Sequence, residues 1–374
     1  MAERLKILGE RLRKARESFN LSQIEVAEKL HIGRPRYSDI ENGKRDISLE
    51  ELYRFSKFLG RPLEFFVKED LVVGEGFKVL FRKAAGCKGV SKVAVEFENL
   101  CEKMYALERL TDFDHKPFEA RDYRFDNRQW WYYSKIFADR EREALGLGNA
   151  PIRDLDQLLE EKCNLKIFYL PIPEEQKIFG IFAYDEKMGG CILINSNNNI
   201  SKRRFSLAHE FAHYLFHKNK IALISSETAE DAIEEKIADC FASNFLMPEI
   251  VVGEIFHLRC KKRNNATPED VLYFANYFGV SFPAMLYRLN NLKLIDNPTK
   301  EKLLEEKSAT SFLESIGIKE SQNVRSKFPN LYLYLCGKAF EQGKITTAKL
   351  ADFLEIPLFK AMDIAGQTRA GKPE

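Results

Sequence analysis

The sequence predicts a mainly α fold with a small β-sheet (α+β), and three observations carry that expectation. Apolar residues recur at helical spacing along most of the chain. Runs of strand length and strand composition are concentrated in one stretch, around LKIFYL, IFGIFAYD and CILIN. Helix caps and breakers (Ser, Thr, Asn, Gly, Pro) punctuate the remainder. With 374 residues, 45% of them hydrophobic, the chain has material for two or three cores rather than one.

Taken in order, residues 1–70 read as a compact helical bundle and 71–130 as a linker with a connecting helix. Residues 131–295 read as an α+β core and 296–374 as a helical C-terminal region. Within the linker, GFKVLFRKA is strand-like. Val93, Val95, Phe97, Leu100, Met104, Leu107 and Leu110 then mark a helix over 90–111. The Asp-, Arg- and aromatic-rich run from Phe113 to Trp131 is expected to be linker with docked aromatics, and Trp130–Tyr133 to be docking or core residues. Helices follow at Tyr132–Leu145 and Asp154–Cys163, then a strand at Leu165–Leu170 and a hairpin turning at EKMGG. From Lys202 onward helices dominate. Thr267 and Pro268 start one, the turn Gly279–Val280–Ser281 starts another, and breaks fall at Gly317, Pro329, Gly343 and Pro357. No fixed-period repeat is visible.

Charge and cysteine content narrow the function classes. Lys+Arg 58 against Asp+Glu 56 leaves +2, so affinity for nucleic acid has to come from a local arrangement. The 7 cysteines are scattered without a C-x-x-C pair, which suits reduced thiols in the cytoplasm, with Cys191 and Cys240 as small buried hydrophobes. No run approaches the ~18 apolar residues of a membrane span, and the charged start MAERLKILGERLRK is not a signal peptide.

Near the N-terminus two short helices are legible. Ser22 caps QIEVAEKL, with Glu25 completing a capping box. After His31–Ile32–Gly33 a second helix runs from about Arg34 to Glu41, with Pro35 in its first turn, and stops at Asn42–Gly43. Val26, Ala27, Leu30, Ile32, Tyr37 and Ile40 form the seam between them. From LSQIEVAEKL to RPLEFF the segment resembles the XRE-type (Cro/C1) helix-turn-helix family. That resemblance implies a second helix in the major groove of double-stranded DNA, an operator. It places Gln23, Arg34, Arg36 and Ser38 at DNA-facing positions, with Lys44 and Arg45 as phosphate contacts. Arginine reads guanine bidentately and glutamine pairs with adenine. Asp39 and Glu41 on the same helix are expected to dilute the positive field, and a homodimer would serve a two-fold operator.

The other constellation lies in RRFSLAHEFAHYLFHK. Residues four apart on a helix sit about 40° apart around the axis and about 6 Å along it, so His209 and His213 can converge on one ion. Glu210, one step round, then points at the ion's water, as in the zincins. The absence of a Gly-x-x-His continuation excludes the metzincin third ligand, and His217 sits too far up the helix. In EEKIADCFASNFLMP, Glu235 has the E-x-x-A-D form of a second-helix ligand, with Asp239 one turn on to hold a ligand histidine and Glu234 as the competing ligand.

GGCILIN, RRFSLAHEFAHYLFH and EEKIADCFASNFLMP together resemble the ImmA/IrrE family of metallopeptidases, a likeness that spans about 140–290. It implies Zn2+ on His209, His213 and Glu235, with Glu210 as general base. It further implies cleavage of a regulatory protein, typically a repressor, that controls stress-response or mobile-element genes. Arg204, Tyr214 and His257 are candidate oxyanion donors, and the CILIN strand could align a substrate by β-addition. The rival class is a regulator or antitoxin-like module whose zincin domain senses or binds a partner without turnover.

Overall fold

The structure is a computed structural model that describes residues 2–19, 21–59, 61, 63–67, 90–113, 123, 127–173, 175, 177–217, 222–226, 233–260, 266–305 and 326–370. The strand-like GFKVLFRKA run and the Gly317 break lie outside them. Five helices come first: α1 Ala2–Ser18, α2 Gln23–Leu30, α3 Arg34–Glu41, α4 Leu49–Leu59 and α5 Leu63–Val67. A long helix, α6 Val90–Leu110, leads into α7 Trp130–Ala144 and α8 Leu155–Cys163. The strands are β1 Lys166–Leu170, β2 Ile178–Asp185, β3 Gly189–Asn195 and β4 Ala222–Ser226, with α9 Ile200–His217 between the last two. Then follow α10 Ile233–Leu246, α11 Glu249–Cys260, α12 Pro268–Phe278, α13 Phe282–Asn291 and α14 Asn297–Glu305. The C-terminal helices are α15 Asn330–Glu341, α16 Thr347–Leu354 and α17 Leu358–Ala370.

The sheet runs β1-β3-β2-β4. β3 pairs in parallel with β1 and antiparallel with β2, which pairs antiparallel with β4. Both faces are covered, which is why these strands read as near-continuous apolar runs rather than as alternation. One face sends Ile167, Phe182, Ile192 and Ile194 into the core formed with α9, α10 and the helices after them. The other sends Phe168, Leu170, Ile181, Ala183, Cys191 and Leu193 against α6 and the C-terminal helices. Phe97 and Tyr332, both fully buried, lie in that second core, each contributing roughly 2 kcal/mol of apolar burial.

The connecting helix α6 is thus part of a core, although its sequence carries two acidic residues on buried positions. Glu98 is paired with Arg61, which follows α4, in an ion pair with almost no solvent access on either side. Glu108 meets Lys166 of β1 at 3.2 Å, again buried. Solvent-side pairs join α6 to the C-terminal helices, including Lys103 with Glu355 at 3.3 Å and Asp112 with Lys344 at 2.8 Å.

One local device recurs. Among the described residues, α2, α12 and α16 each begin on a Ser or Thr cap (Ser22, Thr267, Thr346). Each ends on a left-handed residue: His31 at φ 56°, Gly279 at φ 66° and Glu355 at φ 54°. In each, the amide of the next residue reaches back to an alanine carbonyl: Ile32 to Ala27, Val280 to Ala275 and Ile356 to Ala351. A Schellman-type stop of this kind is commonly accompanied by an apolar residue just past the cap, here Ile32, Val280 and Ile356. The chain therefore builds the same helix–turn–helix corner at α2–α3, α12–α13 and α16–α17, at spacings too unequal to register as a repeat.

Several expectations change. α7 starts at Trp130, two residues earlier than expected, and Trp131 and Tyr132 are about half exposed instead of packed. Of the aromatic linker, Tyr123 is described and does dock, its ring 4.3 Å from that of Phe137. β4 is a strand within the region expected to be helical. β3, the CILIN strand, is interior and paired on both sides, so it offers no edge for a substrate; β4 is the edge next to β2. Cys191 is buried as expected, whereas Cys240 is half-buried.

Candidate metal centre and nucleic-acid interface

α9 is apolar on nearly all sides, with Leu207, Ala208, Phe211, Ala212 and Leu215 in the core, and it carries His209, Glu210 and His213 into the same interior. α10 packs across it. His209 Nε2 lies 3.1 Å from Glu235 Oε2 and His213 Nε2 lies 3.3 Å from Glu235 Oε1. The two imidazole Nε2 atoms are 3.0 Å apart. For metal–ligand bonds of about 2.0 Å, a tetrahedron has edges of about 3.3 Å, so these three donors are spaced as three of its corners. Among the described residues, His209, His213 and Glu235 form the group able to hold a metal ion, and Glu234 is not part of it. The His217 side chain lies outside the described residues.

Asp239, one turn beyond Glu235, has Oδ1 2.7 Å from His209 Nδ1. Asp239 accepts from the His209 Nδ1–H, so it is Nε2 that faces Glu235 and His213 and would serve a metal ion as its donor. The charges follow the packing. Burial works against a charged His209, yet Asp239 and Glu235 outweigh it and push its pKa up to about 10. Burial pushes His213 down to about 4. Glu235, despite burial, is held at about 2 by the two imidazoles.

Glu210 is fully buried, and among the described residues neither carboxylate oxygen has a hydrogen-bond partner. Burial pushes its pKa up to about 8, against the opposing pull of His209 and the nearby Ser225 hydroxyl. Leaving such a group unsatisfied is costly, so its presence here calls for a ligand or a reaction. Space for it comes from β2: a Cβ on Gly180 would stand 2.8 Å from Glu210 Cδ. Sequence reasoning missed Gly180 and Ser225. The signal available was a glycine inside an otherwise apolar strand, which marks a close approach.

The three oxyanion candidates are occupied elsewhere. Arg204 donates to the Ile152 and Arg153 carbonyls and lies against Gly279. Tyr214 is packed among the Phe182, Tyr184 and Phe211 rings. His257 lines a groove of about 1140 Å³ between α7 and α11 that none of the three donors enters.

At the other end of the chain, Val26, Ala27, Leu30, Tyr37 and Ile40 are buried with Leu12, Phe55 and Phe66, and the Ser22–Glu25 capping box is present. α1 crosses α3 so closely that a Cβ on Gly9 would meet the Ile40 carbonyl at 2.7 Å. Glu41 does not dilute the surface field: it is buried, bonded by Arg16 Nε at 2.6 Å and by Gln23 Nε2 at 2.9 Å. Gln23 is therefore engaged inside the bundle. Arg36 is half-buried with Glu51, 2.8 Å away, and Ser38 is half-buried beside Asn42. Arg34, Lys44 and Arg45 are exposed.

Comparison with known proteins agrees with both ends. Residues 12–66 match the helix-turn-helix family and residues 160–290 match the IrrE N-terminal-like domain of the M78 peptidases. The control protein C.MunI from Mycoplasma sp. is 45% identical over 56 residues, 15% of this chain and 76% of that protein. A crystal structure of ComR from Streptococcus suis aligns over 94% of this chain and 93% of its own, at 10% identity and a TM-score of 0.16, too low to bear on the fold. The chain belongs to the XRE-type helix-turn-helix proteins through residues 12–66, and its residues 160–290 are similar to the IrrE-like M78 peptidase domain.

Proposed function

We propose that this regulatory DNA-binding protein is a cytoplasmic zinc endopeptidase that cleaves a repressor-type protein and thereby controls stress-response or mobile-element genes. In this reading residues 1–70 address it to an operator, as two copies on a two-fold site, and 131–295 carry the chemistry. The observation that carries the proposal is the fully buried Glu210 carboxylate, without a hydrogen-bond partner among the described residues, beside three donors at tetrahedral spacing.

His209, His213 and Glu235 would hold zinc, and the donor set of two imidazoles and one carboxylate suits a catalytic site with one open position. Zinc, when bound, polarises a carbonyl and makes water acidic enough to attack near neutral pH. With the metal in place, Glu210 would serve as general base, accepting a proton from the attacking water on a carboxylate oxygen and returning it to the leaving amine. Asp239 keeps His209 in the tautomer that donates its Nε2 lone pair. A substrate segment in extended form would add to β4, whose outer backbone groups face away from β2. Arg34 would reach a base edge, with Lys44 and Arg45 on phosphates and Gln23, Arg36 and Ser38 supporting them from half-buried positions.

The test is Glu210→Gln in the full chain, incubated with the repressor encoded nearest to its gene. Zinc content and operator binding should stay at the wild-type level while cleavage falls by ~10²-fold or more. Wild-type gene control by Glu210→Gln, alongside loss of control by His209→Ala, would instead make the zinc domain a sensor.

A further inference from the structure

β2 changes register where it passes α9. Ile178 pairs with Ser226 of β4 and Gly180 with Ser225, so Phe179 is the extra residue of a bulge. Bulges re-aim side chains and recur next to active sites. From Gly180 onward the pairing is regular: Ile181 pairs with Ile224 and Phe182 with Leu223. Residues directly opposed in an antiparallel pair send their side chains to the same face of the sheet. A Cβ on Gly180 would point at Glu210, 2.8 Å from its Cγ, so Ser225 also points to the α9 face. The next pair agrees, since Ile181 and Ile224 both belong to the core on the opposite face. The bulge thus brings Ser225 to the gap that Gly180 leaves for Glu210.

Ser225 is 1% exposed, and among the described residues its Oγ has no hydrogen-bond partner. A strand position that served packing alone would hold alanine or valine, because a buried unpaired hydroxyl is destabilising. Glu210 on the same face has the complementary need, two carboxylate oxygens without a donor among the described residues. A serine hydroxyl carries one donor hydrogen, free to rotate to suit its acceptor. The Ser225 hydroxyl is already near enough to oppose the effect of burial on the Glu210 carboxyl. We propose that Ser225 is a positioning residue: its Oγ–H donates to the Glu210 carboxylate and fixes it beside His209, His213 and Glu235. This rests on the reading of Glu210 as general base and adds what aims it. Because Ser225 belongs to β4, the edge strand proposed to receive the substrate, substrate docking and alignment of the base meet in one strand.

Infrared difference spectroscopy of the full chain, without substrate, reads the contact directly. Subtracting the Glu210→Gln spectrum from that of the wild type isolates the Glu210 carboxyl band. That band should shift in Ser225→Ala, and likewise in Ser225→Cys, which keeps the shape but donates weakly. Ser225→Thr, which retains the hydroxyl, should return it. Zinc content should be unchanged in all three, since Ser225 is not among the metal donors. With the repressor encoded nearest to its gene as substrate, Ser225→Ala should lower kcat ~10-fold, the worth of one hydrogen bond to a charged group. KM should stay unchanged, the mark of an interaction that acts in the transition state, and Ser225→Thr should restore kcat. A band that Ser225→Ala leaves in place would overturn the proposal, as would a loss that falls on KM or that Ser225→Thr does not recover. A wild type that cleaves nothing, or a Glu210→Gln chain that cleaves normally, would refute the protease reading instead, while the band still decides whether Ser225 holds Glu210.

Discussion

Gly180→Ala tests whether the space around Glu210 serves the chemistry. The added methyl would stand 2.8 Å from both Cγ and Cδ of Glu210. Ordinary carbon contacts lie at about 3.5–4.0 Å, so something must yield by about 1 Å. β2 is held on both sides by β3 and β4, and Glu210 is fully buried on the core helix α9, so the carboxylate gives way rather than the strand. A displacement of ~1 Å in a reacting group costs on the order of 10²-fold in rate. Overpacking of this kind also costs roughly 1–3 kcal/mol of stability. The assay pairs cleavage of the proposed repressor substrate with a thermal melt and a zinc determination. Cleavage should fall ~10²-fold with zinc retained, and the melting temperature should drop by several degrees. Cleavage within twofold of wild type with an unshifted melt would refute the reasoning, because Glu210 would then have room the structure denies it.

Asp239→Asn should weaken zinc binding ~10–100-fold in chelator competition, since His209 loses the partner that fixes its tautomer. Arg16→Ala should destabilise the N-terminal bundle by about 3 kcal/mol, because it strands the buried Glu41 carboxylate. Burial alone would raise the Glu41 pKa, but bonds from Arg16, Gln23 and Tyr37 override it and hold the carboxyl below its ordinary value. That stabilisation is complete above the unfolded carboxyl value of about 4.3 and is lost as pH falls through the lower folded value. Glu41→Gln should therefore remove part of the acid limb of bundle stability measured by circular dichroism. Arg34→Ala should cost ~1–3 kcal/mol of operator binding in a sequence-dependent way, whereas Arg36→Ala, starting from a side chain tied to Glu51, should cost less.

The candidate metal site was legible because its parts are local. His209 and His213 share one helix, Glu235 and Asp239 share another, and four-residue spacing places each pair on one face. The helix starts were legible for the same reason: Ser22, Thr267 and the turn at Gly279 satisfy backbone groups within a few residues. What depends on distant partners could not be read. β4 is a strand because β2 lies beside it, and ALISS has little in its own five residues to say so. Glu41, Glu98 and Glu108 look like surface charges, and Arg16, Arg61 and Lys166 that neutralise them sit 25, 37 and 58 positions away. Trp131 and Tyr132 show the reverse, aromatic residues that packing leaves outside.

The Arg61–Glu98 pair bears on how this architecture can be taken apart. Family boundaries suggest a detachable reader at the N-terminus, yet a cut near residue 70 removes the base and leaves the acid inside the remaining molecule. An uncompensated interior carboxylate of this kind is strongly destabilising. A fragment from 71 onward should therefore be recovered in poor yield unless Glu98 is changed as well, and Glu98→Gln or Glu98→Met should rescue it. In genetic exchange the same constraint applies. A new DNA reader can be grafted onto the remaining domains only if it arrives with its own cation at the position of Arg61 or if Glu98 is changed as well, so readers and M78-like domains of this kind should be inherited together with α6.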